Sequence, residues 1–262
     1  MSFCALLSLF PLFWMVSTSL KEKGHIFVFP PEWLPDPVTL EGYHNLLTQI
    51  PLARNLLNSL IVCIVVVFGQ LLFNSMAAYA FARLKWPGRE KLFFLFLATL
   101  MIPGQVTLIP NYIIIRLFGW VNSLSALIVP PIMFSAFGTF LMRQFFMSIP
   151  NELEDAAKID GANHLHIFFR IMLPLVKPAR TSFGVFAFVY FWNDFTWPLI
   201  VLNSKEIKTL TVSVATMATS AYFTDWGSLM AGATLSVIPL LVLFFIAQRE
   251  FVEGVVMTGL KA

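Results

Sequence analysis

The chain has 262 residues, of which 58% are hydrophobic, 12% are charged and 28 are phenylalanine, with a formal net charge of +3. That balance excludes an ordinary water-soluble core and fits an all-α polytopic membrane protein, and so small a charge without a basic run excludes nucleic acid as a partner. Cys4 and Cys63 lie in apolar runs with no CxxC pair or histidine-rich cluster, so redox and metal chemistry are not suggested.

Six stretches are long enough to cross about 30 Å of hydrocarbon, which takes roughly 20 helical residues. They run approximately Ser2–Leu20, Leu56–Phe81, Leu92–Ile113, Leu124–Phe146, Pro178–Leu202 and Leu229–Gln248, within a single transmembrane domain over 1–262. The first lacks a basic leader and a small-residue cleavage site before Lys21, and Pro11 and Trp14 interrupt it. It therefore reads as a span whose cytoplasmic leader is very short or missing, rather than as a signal peptide. The loop Lys21–Leu52 carries Pro30, Pro31, Pro35, Pro37 and Pro51 and is expected to be extended or turn-rich. Pro103 beside Gly104, Pro130 with Pro131, Pro198 and Pro239 predict kinks inside spans. Kinks suit helices that rock around a central pathway, but they occur in membrane proteins of any function.

Lys and Arg placement sets the expected orientation. Of 17 such residues, Arg83, Lys85, Arg89, Lys91, Arg143, Lys158, Arg170, Lys177, Arg180, Arg249 and Lys261 fall in one set of loops. Lys21, Lys23, Arg54, Arg116, Lys205 and Lys208 fall in the other. The richer set is expected in the cytoplasm, with both termini inside.

Between the fourth and fifth spans, Ile149–Pro178 concentrates charge in a chain that has little. Ser148 and Pro150 make a helix start, and Glu152, Glu154 and Asp155 oppose the dipole in the first turns. Glu154 and Lys158 stand at i,i+4, worth a few tenths of a kcal/mol. Ala156 and Ala157 keep the helix slim for a close partner, and Gly161 ends or bends it. A second helix over Ala162–Leu173 places Leu165, Phe168, Phe169 and Met172 at near-helical spacing until Pro174 interrupts it. An ordinary solvated loop with two short surface helices accounts for these residues equally well.

Asp155-Ala156-Ala157, then Asp160-Gly161-Ala162, Phe168/Phe169, Ile171 and Leu173-Pro174, resembles the EAA loop of ABC importer permeases. Ala77-Ala78-Tyr79-Ala80-Phe81-Ala82-Arg83 before Pro87-Gly88, Trp192-Asn193-Asp194 before Trp197-Pro198, and Gln248-Arg249 before Phe251-Val252 and Gly254 are similar to the carbohydrate-uptake, maltose-type branch. The resemblance covers nearly the whole chain and implies the smaller, six-span permease subunit of a binding-protein-dependent importer in a prokaryotic cytoplasmic membrane. It implies that Glu154, Asp155, Ala156, Ala157, Asp160 and Gly161 form a coupling helix that docks on an ATPase. The implied partners are a second permease, two ATP-binding subunits, an external solute-binding protein and membrane lipid. ATP and Mg would belong to the ATPase; no cofactor is expected in this chain, which has no GxxxxGK[ST] phosphate loop and is not expected to be an enzyme. The family's glutamate is Asp155 here, one methylene shorter, so an ion pair with the ATPase must be tighter or shifted. The outer loops Lys21–Leu52 and Asn203–Gly227 would help receive the binding protein, and the tail Arg249–Ala262 would touch the ATPases.

Asp194 is the sole acid deep in an apolar span, about 21 Å from Arg180 at about 1.5 Å per residue. Pro198 leaves the carbonyl of residue 194 available, Asn193 adds an amide, and Trp192 and Trp197 add flat apolar surfaces suited to sugar rings. These four are candidates for a translocation pathway. A polar clamp to the partner permease explains them as well. Asn74, Asn111 and Tyr112 are weaker candidates that also read as satisfied polar residues, and His164 and His166 lack a convincing metal-ligand set. Two alternatives remain open: an ion-driven secondary transporter, and an importer for glycerol phosphate or a polyol. An intramembrane enzyme would need a catalytic constellation that the sequence does not supply.

Overall fold

A computed structural model describes residues 2–133, 135–218 and 225–259. The tail 260–262, Phe134 and residues 219–224 of the 203–227 loop lie outside the described residues. All regular structure described is helical. The helices are α1 (Ser2–Ser19), α2 (Glu41–Gln49), α3 (Leu52–Arg83), α4 (Arg89–Ala98), α5 (Gly104–Leu117), α6 (Ser125–Ile132) and α7 (Ala136–Ser148). They continue as α8 (Glu152–Ile159), α9 (His164–His166), α10 (Leu173–Leu175), α11 (Lys177–Asn193), α12 (Thr196–Val201), α13 (Leu210–Met217) and α14 (Trp226–Gly259).

Among the described residues, three stretches are long and apolar enough to cross a membrane: Leu52–Arg83, Ser125–Ser148 and Trp226–Gln248. A fourth is formed only if Arg89–Met101 and Gly104–Leu117, bent by 99°, count as one span. The expected first span corresponds to α1, an apolar helix of 18 residues, and the expected fifth is divided between α11 and α12. The prolines explain most of the difference. Pro103 precedes α5 at the 99° bend, and Pro198 lies in α12 just past the gap at 194–195. α3 has 32 residues, about 48 Å at 1.5 Å per residue, so its ends exceed a hydrocarbon core of about 30 Å.

The chain divides into two compact units, Met1–Leu60 with Trp192–Leu243, and Ile61–Phe191 with Phe244–Ala262. In the first, the proline-rich loop is folded onto α1. Lys21 is 2% exposed, with its ammonium donating to the Glu32 carbonyl and lying 4.4 Å from the Trp14 ring centre. Asn55 and Asn58 on α3 donate to the carbonyls of Lys205, Glu206 and Lys208, and the Ser59 hydroxyl accepts the Leu210 N–H at 2.8 Å. These side chains hold an irregular segment whose backbone has no helical partner. Asp225, just before α14, accepts from the Ser228 hydroxyl and N–H and meets Lys23 at 3.4 Å. Burial opposes its ionisation, but those donors and the lysine prevail and hold its carboxyl below the usual range.

The second unit packs Tyr79 of α3, Met142 and Phe146 of α7, Phe183 of α11 and the run Ile167, Phe168, Met172 and Val176 into one core. Here α3 also repairs the break between α6 and α7. In an unbroken helix the Ser135 N–H would bond the Pro131 carbonyl. Instead Asn74 accepts the Ser135 N–H at 2.8 Å and Gln70 donates to the Pro131 carbonyl at 2.7 Å. Asn74 is thus a structural clamp in this conformation. Asn111 is exposed and Tyr112 half-buried on α5.

Candidate functional site

The charged segment forms a helical knob. α7 ends at Ser148, whose hydroxyl bonds back to the Phe145 carbonyl at 2.8 Å, and Ile149–Asn151 turn the chain. α8 therefore starts at Glu152 and not at the expected Ser148–Pro150, because Ser148 is consumed in closing α7. Its far end is a Schellman stop: the Gly161 N–H bonds the Lys158 carbonyl at 3.0 Å and the Ala162 N–H bonds the Ala157 carbonyl at 2.9 Å. Gly161 has φ +80°, which an L side chain adopts only with strain. Asn163 then caps the following run by accepting the His166 N–H at 2.8 Å.

That run departs from expectation. It begins at His164, widens into a π-helix over Ile167–Met172, and passes through Pro174 instead of stopping there. Proline at 174 cannot serve the residue 170 carbonyl in an α register, and the π widening lies directly before it. Phe168 and Met172 are buried as the spacing predicted, whereas Leu165 and Phe169 are exposed. His164 and His166 are both exposed, and no group of three metal-ligating side chains occurs among the described residues.

α8 is two-faced. Glu154 and Ala157 turn inward; Leu153, Asp155, Ala156, Lys158, Ile159 and Asp160 turn outward. The Asp155 side chain is 68% exposed and Ile159 is 87% exposed. The expected alanine pair is split, with Ala157 packed in the core and Ala156 on the surface, since adjacent helical positions point about 100° apart. Lys158 meets Asp155 at 3.5 Å and Glu154 at 3.8 Å.

Inward, Glu154 faces Arg83, the last residue of α3, with Nε 3.5 Å from Oε1 and side chains only 5% and 7% exposed. The same guanidinium donates to the Phe146 carbonyl at 2.6 Å, to the Ile149 carbonyl and to the Asn151 side chain. Tyr79, one turn earlier on α3, sets its ring edge-on to Phe146 at 5.8 Å and tilted against Phe168 at 5.3 Å between ring centres. Arg83 had been legible only as part of a motif and as a loop cation. Its role needed the fold, because its partners Phe146, Ile149, Asn151 and Glu154 are far from it along the chain.

The other candidates meet at the gap between α11 and α12. The Asp194 carboxylate accepts the backbone N–H groups of Phe195 and Trp197, so it caps the broken helix from its own chain. Trp192 is 2% exposed; its indole donates to the Ser236 carbonyl at 2.9 Å and its carbonyl accepts the Thr211 hydroxyl at 2.7 Å. Its ring faces are therefore packed in the core in this conformation. Asn193 is exposed, while Asp194 and Trp197 are half-buried.

A family model for binding-protein-dependent transport system inner membrane components matches residues 70–256. The arabinooligosaccharides transport system permease of Halalkalibacterium halodurans is 35% identical, over 99% of this chain and 94% of that protein. The sn-glycerol-3-phosphate transport system permease of Escherichia coli is 33% identical, over 95% of this chain and 90% of that protein. Among solved structures, a chain of a bacterial ABC transporter involved in the import of the acidic polysaccharide alginate superposes with a TM-score of 0.85 at 23% identity, covering 95% of this chain and 93% of that one. That last likeness concerns the fold alone.

Proposed function

We propose a function that proceeds from one fact: the chain belongs to the family of binding-protein-dependent transport system inner membrane components. It is a membrane permease, and we read it as the smaller permease subunit of an ATP-driven importer for a sugar or sugar-like solute. The observation that carries this reading is α8. A short helix, stopped at Gly161 and fixed on its inner face, offers Asp155 and Ile159 to the outside. An exposed apolar residue beside a carboxylate, on a rigid knob, is suited to a cleft in another protein. That protein would be the ATPase, which brings ATP and Mg.

The remaining assembly is a second permease, two ATP-binding subunits and an extracytoplasmic binding protein received by the loops 21–52 and 203–227. α8 then lies in the cytoplasm with both termini, as the Lys and Arg distribution favours, and six crossings are completed by α1 and by α11 with α12. Closure of the ATPases pushes α8 and shifts the spans between inward- and outward-facing states. Asn193, Asp194 and Trp197 border the solute path. A glycerol phosphate solute is the second reading, favoured by the 33% identical relative.

Co-purification tests the reading. The tagged chain is expected to retain a separate ATPase, and Asp155→Ala with Ile159→Ser is expected to release it. Full capture by that double variant would remove α8 from the contact.

A further inference from the structure

α8 is joined to the rest of its unit by more than its chain neighbours. Arg83 reaches from the end of α3 to three successive parts of the knob: the last turn of α7 through Phe146, the connecting turn through Ile149 and Asn151, and the first turn of α8 through Glu154. Each contact answers a physical need. At the end of α7 the Phe146 carbonyl accepts the Ile149 N–H at 3.3 Å and keeps a second lone pair for the guanidinium, at a helix end where a cation is favoured. The turn 149–151 has no helical partner for the Ile149 carbonyl. Glu154 is a carboxylate removed from water, which requires a charge partner.

We infer that Arg83 is a positioning residue for energy coupling, with Glu154 as its counterpart: together they make α8 move as one body with the inner end of α3. A push on the exposed face of α8 is then delivered directly to a 32-residue span, not only along the chain through the turn to α7 and the Gly161 bend. Tyr79 strengthens the same joint, since it packs against Phe146 and Phe168 one turn from Arg83. The neighbouring acids divide the work. Glu154 transmits inward and Asp155 engages outward.

This inference rests on the reading that α8 receives an ATPase, and the test separates the two. The complete transporter, with its ATPases and binding protein, is assembled with Glu154→Gln, Arg83→Gln or both, and uptake per ATP hydrolysed is measured in proteoliposomes on equal amounts of complex. Both side chains are buried, so ATPase capture is expected to persist in each variant while uptake per ATP falls at least about fivefold. The double variant is expected to be no worse than Arg83→Gln alone, because that change already removes the contact to Glu154. Arg83→Lys, which keeps the charge but not the fan of donors, is expected to fall between. A purely structural role would lower the yield of complex and leave the ratio in assembled complexes unchanged. Wild-type ratios in Glu154→Gln and Arg83→Lys, or fully additive losses in the double variant, overturn the inference. If instead Asp155→Ala with Ile159→Ser leaves capture untouched, it is the ATPase reading that fails.

Discussion

Glu154 and Asp194 are acids withdrawn from bulk water in the same chain, yet they are answered in opposite ways, Glu154 by an ion pair and Asp194 by hydrogen bonds. Glu154 is answered by Arg83, a side chain from another helix, so its ionisation binds two elements together. Asp194 is answered by the N–H groups of Phe195 and Trp197, from its own chain one to three residues on. The first arrangement is a joint and resists relative movement of helices. The second is a cap and lets a broken helix end inside the protein without fixing it to a neighbour. On the proposed function, the joint would supply stiffness where an ATPase pushes, and the cap a stable interruption beside the solute path.

The largest effect should come from Arg83→Leu, which leaves the Glu154 carboxylate buried without its main partner. About 3 kcal/mol of stability should be lost, visible as a marked fall in Tm of the purified protein in detergent. A change within error would mean Glu154 is hydrated and the joint is not one. Gly161→Val should cost about 1–2 kcal/mol from the left-handed backbone alone, since no atom lies within 4 Å of an added Cβ. Limited proteolysis should then cut earlier between α8 and α9. Asp194→Asn should cost less than about 1 kcal/mol, because the amide oxygen still accepts both N–H groups; a loss as large as that of Arg83→Leu would erase the distinction between joint and cap. Uptake kinetics of that variant separately report whether the acid borders the solute path.

The smallest effect concerns Asp225. Its carboxyl is held below the ordinary value of 3.8, so the stability it lends to the start of α14 is fully present above that value and is lost as pH falls through the lower folded one. Thermal melts should therefore not differ between about pH 6 and pH 8 on its account, and Asp225→Asn should weaken the acid dependence only below about pH 4. A dependence near neutrality that disappears in Asp225→Asn would contradict this.

Much of this design was legible in the sequence, for local reasons. Gly161 marked a helix stop because only glycine takes its φ cheaply, and Glu154 with Lys158 followed from the i,i+4 spacing. The spans α3 and α14 declared themselves by long stretches of high mean hydropathy. What escaped was non-local. Nothing in the spacing of Asn74 or Gln70 says that they replace hydrogen bonds missing at 131–135, and nothing near Ser148 says that it closes α7 rather than opening α8. The segment 149–178 read as a solvated island, yet half its meaning lies in the residues that are dry. Trp192 is a further case: its position beside Asp194 is plain in the sequence, but the bond from its indole to the Ser236 carbonyl, 44 positions away, is not.

The most direct test of the whole account is solute uptake by the assembled transporter in proteoliposomes, with ATP supplied at the α8 side and ion gradients collapsed by ionophores. The account predicts uptake that requires ATP hydrolysis and the binding protein, and that continues undiminished without any gradient. Uptake by this chain alone, driven by an ion gradient and indifferent to ATP, would contradict it.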